Sequence, residues 1–169
     1  MLTVAAMFTS LAFTSCGSDD NGEPEVPDTY SAKVDYSATF TDDMIRLLDI
    51  AISYYDPSAG KEVTEKVTKA GWTKSYNVTK LPAKAYLLVK LTQKTDEKVA
   101  ETFKYSRSYE VLVTRYKNNK EDDFKESSIH SSGTMAADKF PTFLEKYCAE
   151  TPFMKSSTIT VSADGLSEE

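Results

Sequence analysis

Ser31-Ala32-Lys33-Val34-Asp35-Tyr36-Ser37-Ala38-Thr39-Phe40 alternates small or polar residues with apolar ones over its whole length. In a β-strand, successive side chains point to opposite faces, so this period of two places Ala32, Val34, Tyr36, Ala38 and Phe40 on one buried face. The same reading extends along the chain. Thr41-Asp42-Asp43 reads as a turn, after which Leu48, Ile50, Ile52 and Tyr54 alternate with Asp49, Ala51, Ser53 and Tyr55. Asp56-Pro57-Ser58-Ala59-Gly60 carries the residue types of a tight turn. Glu62 to Lys69 fits an edge strand or a helical turn, with Val63, Thr64, Val67 and Thr68 favouring the strand.

Trp72, Tyr76 and Val78 share one face of a further strand that ends before Leu81-Pro82. Ala85, Leu87, Val89 and Leu91 form the buried face of the next, with Lys84, Lys90 and Thr92 outward. Thr95 to Thr102 reads as a loop, and Tyr109, Val111 and Val113 mark another strand. Lys117 to Asp123 reads as a hairpin turn, with Phe124 to Ser131 pairing back across it. Phe140, Phe143, Leu144 and Tyr147 stand at the i, i+3, i+4, i+7 spacing of one helix face, predicting a helix near 138–149. A last strand spans 158–163, with Ile159 and Val161 inward, before an exposed tail at 165–169.

Short strands separated by turns, one late helix and no βαβ alternation predict a mainly β fold. The expected form is an antiparallel immunoglobulin-like or transthyretin-like sandwich of about seven or eight strands, closed at one end by the helix. A small lipocalin-like β-barrel shares the strand pattern and is the alternative. The length of 169 residues suits one such domain, and an apolar fraction of 40% fills a core.

Composition removes several functions. A net charge of -6 opposes nucleic acid, whose phosphates require a basic stripe. With one histidine and two cysteines the chain lacks the ligands for a zinc site, and no resident metal or cofactor is expected. The chain has no P-loop, no dinucleotide fingerprint and no G-x-S-x-G elbow. His130 reads as a solvent-side residue of a polar strand, and Cys148 as an inert thiol beside the helix stripe. The acidic pairs Asp42-Asp43 and Glu121-Asp122-Asp123 read as turn residues rather than as facing catalytic carboxylates.

The N-terminus reads as a processing signal. Leu2 to Phe13 is apolar but too short to cross a bilayer, which takes about 20 residues. The basic segment that normally precedes such a run is missing, which points to a start codon upstream. Gly17 to Thr29 carries Asp19, Asp20, Glu23, Glu25 and Asp28 with no basic residue and reads as a solvated spacer.

Phe13-Thr14-Ser15-Cys16 resembles the lipobox of bacterial lipoproteins, and Gly17-Ser18-Asp19-Asp20-Asn21 looks like the acidic tether of lipoproteins from the Bacteroidetes. The resemblance implies a signal peptide at 1–15 and acylation of Cys16 by palmitate-type chains. It also implies a disordered tether at 16–29 and export to the outer face of the outer membrane. The remaining β domain spans 30–164. The pattern around Leu48-Asp49-Ile50, Trp72 and Leu81-Pro82-Ala83 is loosely similar to sandwich domains of uncharacterised lipoproteins from that group, and implies no activity.

The expected function is a membrane-anchored, non-catalytic module that binds a glycan or an envelope or host protein. The alternative is a carboxylate-dependent polymer hydrolase. Tyr55 and Tyr86 fall on the faces opposite the predicted core of their strands, which makes them candidate ligand contacts.

Overall fold

The computed structural model describes residues 26–94, 98–148 and 152–169. The described chain is mainly β. Strands β1 (Tyr30–Thr39), β4 (Gly71–Val78), β7 (Thr102–Lys117) and β8 (Lys120–Ala136) form one sheet in the order β4-β1-β7-β8. A second sheet takes β2 (Leu48–Asp56), β3 (Lys61–Val67), β6 (Leu87–Gln93) and β9 (Met154–Lys155) in the order β3-β2-β6-β9. A small third sheet joins β5 (Ala83–Ala85), β10 (Ile159–Val161) and β11 (Leu166–Glu168), with β10 central. Every pairing among the described residues is antiparallel. The two larger sheets are open and face one another, so the arrangement is a sandwich and not a closed barrel.

Alternation explains the layering. Ala32, Val34, Tyr36 and Ala38 of β1 point inward, and so do Ile50, Ile52 and Tyr54 of β2 and Leu87, Val89 and Leu91 of β6. The two inner faces meet through aromatic rings. Tyr36 lies 5.5 Å from Tyr54, and Tyr54 lies 5.2 Å from Trp72 of β4. Trp72, Tyr109, Val111 and Val113 complete the inner face of the first sheet.

Several local expectations need correction. Thr41-Asp42-Asp43 opens not a turn but helix α1 (Asp42–Leu47), whose N-terminus is capped by Thr41 Oγ1 accepting from the Met44 N–H at 3.2 Å. Threonine and aspartate favour turns and helix starts for the same reason, a side-chain oxygen that accepts from nearby backbone N–H groups. The strand expected across 85–91 is interrupted at Tyr86, which frees β5 to join β10 while β6 joins β2. The β7–β8 turn is only Asn118-Asn119, at φ of 51° and 62°. Asparagine tolerates the left-handed region that a two-residue hairpin turn demands. β8 then runs to Ala136, five residues beyond the expected end.

Among the described residues, both ends of the β domain reach beyond their expected bounds. Asp28 and Thr29, assigned by sequence to the tether, are held at the β7–β8 turn. Asp28 pairs with Lys117 Nζ at 2.7 Å and accepts from Asn118 Nδ2 at 2.8 Å, while the Thr29 N–H donates to Asn118 Oδ1 and the Thr29 carbonyl accepts from the Asn118 N–H, both at 2.9 Å. The expected tail at 165–169 includes β11, which pairs with β10, although Ser167 to Glu169 are exposed. Glu65 is placed in β3, at the edge the sequence favoured for that segment.

Glu65 ties this edge to the aromatic core. Its carboxylate accepts from Tyr54 Oη at 2.9 Å and Trp72 Nε1 at 3.2 Å, and pairs with Lys74 Nζ at 2.8 Å. The Lys74 ammonium first, then the tyrosine and indole donors, hold the Glu65 carboxyl below its ordinary value. A carboxyl lowered on folding contributes stability above its unfolded pKa of about 4.3, and loses that contribution as pH falls through the lower folded value. Urea midpoints measured from neutral pH down to acid should therefore fall for the wild type below that range. Glu65→Gln should start lower and show a shallower acid fall; an identical pH slope would contradict the assignment.

Helix α2 (Phe140–Tyr147) follows a short 3-10 turn (Ala137–Lys139) and closes one end. Pro141 sits in its first turn, where no N–H partner is lost. Phe140 and Phe143 are buried, and Leu144 and Tyr147 pack at the border of the core. Gly133 of β8 faces Tyr105 of β7, and a Cβ there would come within 2.6 Å of the tyrosine ring. The missing side chain lets Tyr105 lie over the hairpin and reach Phe143 at 5.6 Å.

Candidate functional site

The two tyrosines singled out by sequence come together. Tyr55, near the end of β2, and Tyr86, in the gap between β5 and β6, have ring centroids 6.0 Å apart at an interplanar angle of 43°. Backbone geometry fixes them. The Tyr55 N–H donates to the Tyr86 carbonyl at 3.3 Å, and the Tyr55 carbonyl accepts from the buried Tyr36 Oη at 2.7 Å. The interruption at Tyr86 is therefore what brings its ring beside Tyr55 rather than one rung along a continuous ladder.

Both rings are half-buried. Tyr86 Oη donates to Glu62 Oε2 at 2.8 Å, across from β3. Burial first, and that carboxylate second, push the Tyr86 phenol up to about 12. The phenol therefore stays protonated near neutral pH and remains a donor. Glu62 is the residue of this patch that sequence reading passed over. Its signal was present only in the pairing Tyr55↔Glu62 between β2 and β3, which periodicity does not supply.

A hollow of about 180 Å³ opens beside Tyr86, lined by Glu62, Leu87, Leu88, Lys155, Ser156 and Thr158. Its lining combines two leucines with one carboxylate, one ammonium and the Thr158 hydroxyl, while the buried Ser156 hydroxyl is engaged by the Leu87 N–H and the Ser157 carbonyl; this mix suits a small polar group with one hydrophobic face. The patch has a ring face for stacking and both donors and acceptors for hydroxyl groups. That combination suits binding of a sugar ring or a polar peptide segment.

The other sequence candidates are dispersed. Asp43 accepts from the Lys104 N–H at 2.8 Å and pairs with Arg46 at 3.3 Å, tying α1 to β7. With Asp42, Glu101 and Lys104 they border an open depression of about 800 Å³. Asp122 pairs with Arg115, and Asp123 Oδ1 accepts from the Phe124 N–H at 2.8 Å. Neither acidic group lies in the turn expected of it, since Asp42 and Asp43 open helix α1 and Glu121, Asp122 and Asp123 belong to β8, but Asp43, Asp122 and Asp123 each have a partner within the fold. Cys148 caps the end of α2 through its N–H, and partial burial raises its thiol above the ordinary value. Cys16 lies outside the described residues.

His130 is exposed on the outer face of β8, 2.9 Å from Ser108 Oγ through Nδ1. Glu110 of β7 and Glu126 of β8 converge on it, each with a ligand atom within 4.8 Å of the others'. Sequence reading placed all three on strands but not together, since their convergence depends on the β7–β8 register. No described helix is long and apolar enough to cross a membrane.

No family model matches the chain. No curated protein is similar to it at a significant level. Among solved structures, the chain is similar to the calcium-bound form of a protein from Parabacteroides distasonis, determined by NMR. The two are 17% identical, the match covers 72% of this chain and 95% of the other, and the TM-score is 0.24, a likeness too slight to say that the two share a fold.

Proposed function

We propose that the chain is a surface-anchored, non-catalytic binding module whose ligand is a glycan or an extracellular segment of an envelope or host protein. The observation that carries this reading is the Tyr55–Tyr86 pair with Glu62 and the adjoining hollow. A ring face for stacking, a protonated phenol bonded to the Glu62 carboxylate, and the Lys155 ammonium on one small patch are binding chemistry, and none of them is a nucleophile paired with a base.

The anchor in this reading is acylated Cys16, which would hold the domain at the outer membrane with its face to the exterior. Several acyl chains are needed for a stable hold, since each buried methylene contributes about 0.8 kcal/mol and one chain binds marginally. The spacer enters the domain at Asp28 and Thr29, beside the β7–β8 turn.

Two measurements test the proposal. Cys16→Ala should shift the protein from the membrane to the soluble fraction; continued membrane partitioning with an uncut N-terminus would contradict the anchor. On an array of bacterial and host glycans, with envelope and matrix proteins spotted alongside, Tyr86→Ala should reduce the wild-type signal at least tenfold with the fold unchanged. Signal equal to wild type would remove the patch from the binding site.

A further inference from the structure

We infer that Glu110, Glu126 and His130 form a binding site for a divalent transition-metal ion of the zinc type on the outer face of the β7–β8 hairpin. The pairing register makes the site. Glu110 stands opposite Ser128, and Glu126 and His130 flank Ser128 two residues to either side on the same strand face. Diagonal neighbours across a strand pair lie about 7–8 Å apart at the backbone, within reach of long side chains. Ser128, small and between them, leaves the space into which all three extend.

Their ligand atoms already lie within 4.8 Å of one another. Around a tetrahedral ion with bonds of about 2.0–2.2 Å, neighbouring ligand atoms sit about 3.3–3.6 Å apart. The remaining closure is small for Glu126 and His130, both exposed, and for the half-buried Glu110.

Electrostatics favours a cation there. Two carboxylates converge, and among the described residues neither is ion-paired to a lysine or arginine. The nearby Lys33 of β1 is occupied by Asp35 at 2.9 Å. The neighbouring Ser108 also orients the imidazole. In the tautomer that donates from Nδ1 to Ser108 Oγ, the lone pair resides on Nε2, which is free for the metal. A hydroxyl or carbonyl partner on the second ring nitrogen is the usual support for a metal-bound histidine. One imidazole with two carboxylates suits zinc, cobalt or nickel, whereas calcium and magnesium take oxygen ligands throughout.

The test is a titration of the purified full chain with zinc chloride, followed by calorimetry and by the imidazole proton signals in NMR. His130 is the only histidine, so its ring signals need no separate assignment. One ion per chain is expected, with the His130 signals shifting in step with binding. His130→Ala and Glu126→Gln should each weaken binding at least tenfold, while their metal-free melting curves match the wild type. Unmoved His130 signals, absent binding, or equal affinity in His130→Ala would each overturn the site; the last would place the ion elsewhere, for example on the acidic residues before Asp28.

Discussion

Phe143→Ala should lower the free energy of unfolding by about 3–5 kcal/mol, the usual cost of removing a buried aromatic side chain and leaving a cavity. The residue is 3% exposed and lies at the centre of an aromatic cluster. Its ring sits 4.9 Å from Phe103 of β7 and 4.9 Å from Tyr147, with Tyr105 and Phe153 within 5.8 Å. These contacts tie α2 to the first sheet and to the chain entering β9. Since domain stabilities are about 5–15 kcal/mol, the loss is a large share of the whole. Denaturant melts should show a marked drop for Phe143→Ala and almost none for the exposed His130→Ala. An unchanged melt for Phe143→Ala, with altered self-association instead, would make the helix stripe a docking surface and contradict its place in the core.

Arg115→Ala should cost about 2–3 kcal/mol, because a mostly buried guanidinium is removed from charged and backbone acceptors at once. Arg115 is 8% exposed on the inward face of β7. Its Nε donates to the Ser162 carbonyl at 3.2 Å, and its two terminal nitrogens donate to the Ala163 carbonyl and to Asp122. The ring of Tyr30 lies 4.7 Å below the guanidinium. Asp122 stays partly in water, which keeps the loss below that of a fully buried pair. Arg115→Lys should recover little, since an ammonium lacks the planar fork that spans these acceptors. Hydrogen exchange should quicken first at β10 and β11, whose connecting turn Arg115 holds. Uniform loss of protection across both large sheets would contradict this role.

Much of the sandwich was legible because half-buried strands carry a period of two. The alternation in β1, β2, β6 and β7 assigned inward residues correctly over Ala32–Ala38, Ile50–Tyr54 and Leu87–Leu91. The helix stripe was equally plain, with Phe140 and Phe143 in the core. Helix α1 was not, since six residues between two strands offer fewer than two turns of periodicity, and Thr41 reads equally well as a turn residue. β11 was read as tail because three residues with one half-buried leucine carry no pattern of their own. Arg115 did leave a trace: it follows Val111 and Val113 at the same parity, a charged side chain at an inward position.

The site was legible to a similar degree. Tyr55 and Tyr86 each stood on the face away from the core, which periodicity reports. Their partner Glu62, and the meeting of Glu110, Glu126 and His130, depend on inter-strand register. Register is fixed by turn length and by which strands become neighbours, and local sequence does not encode the second.

Binding without turnover is measured most directly by incubating the full chain with the glycan it retains from the array and following release of reducing ends. A non-catalytic module should form a stable complex and give no release above the protein-free control. Release that rises with protein concentration would contradict non-catalytic binding and favour the carboxylate-dependent hydrolase instead.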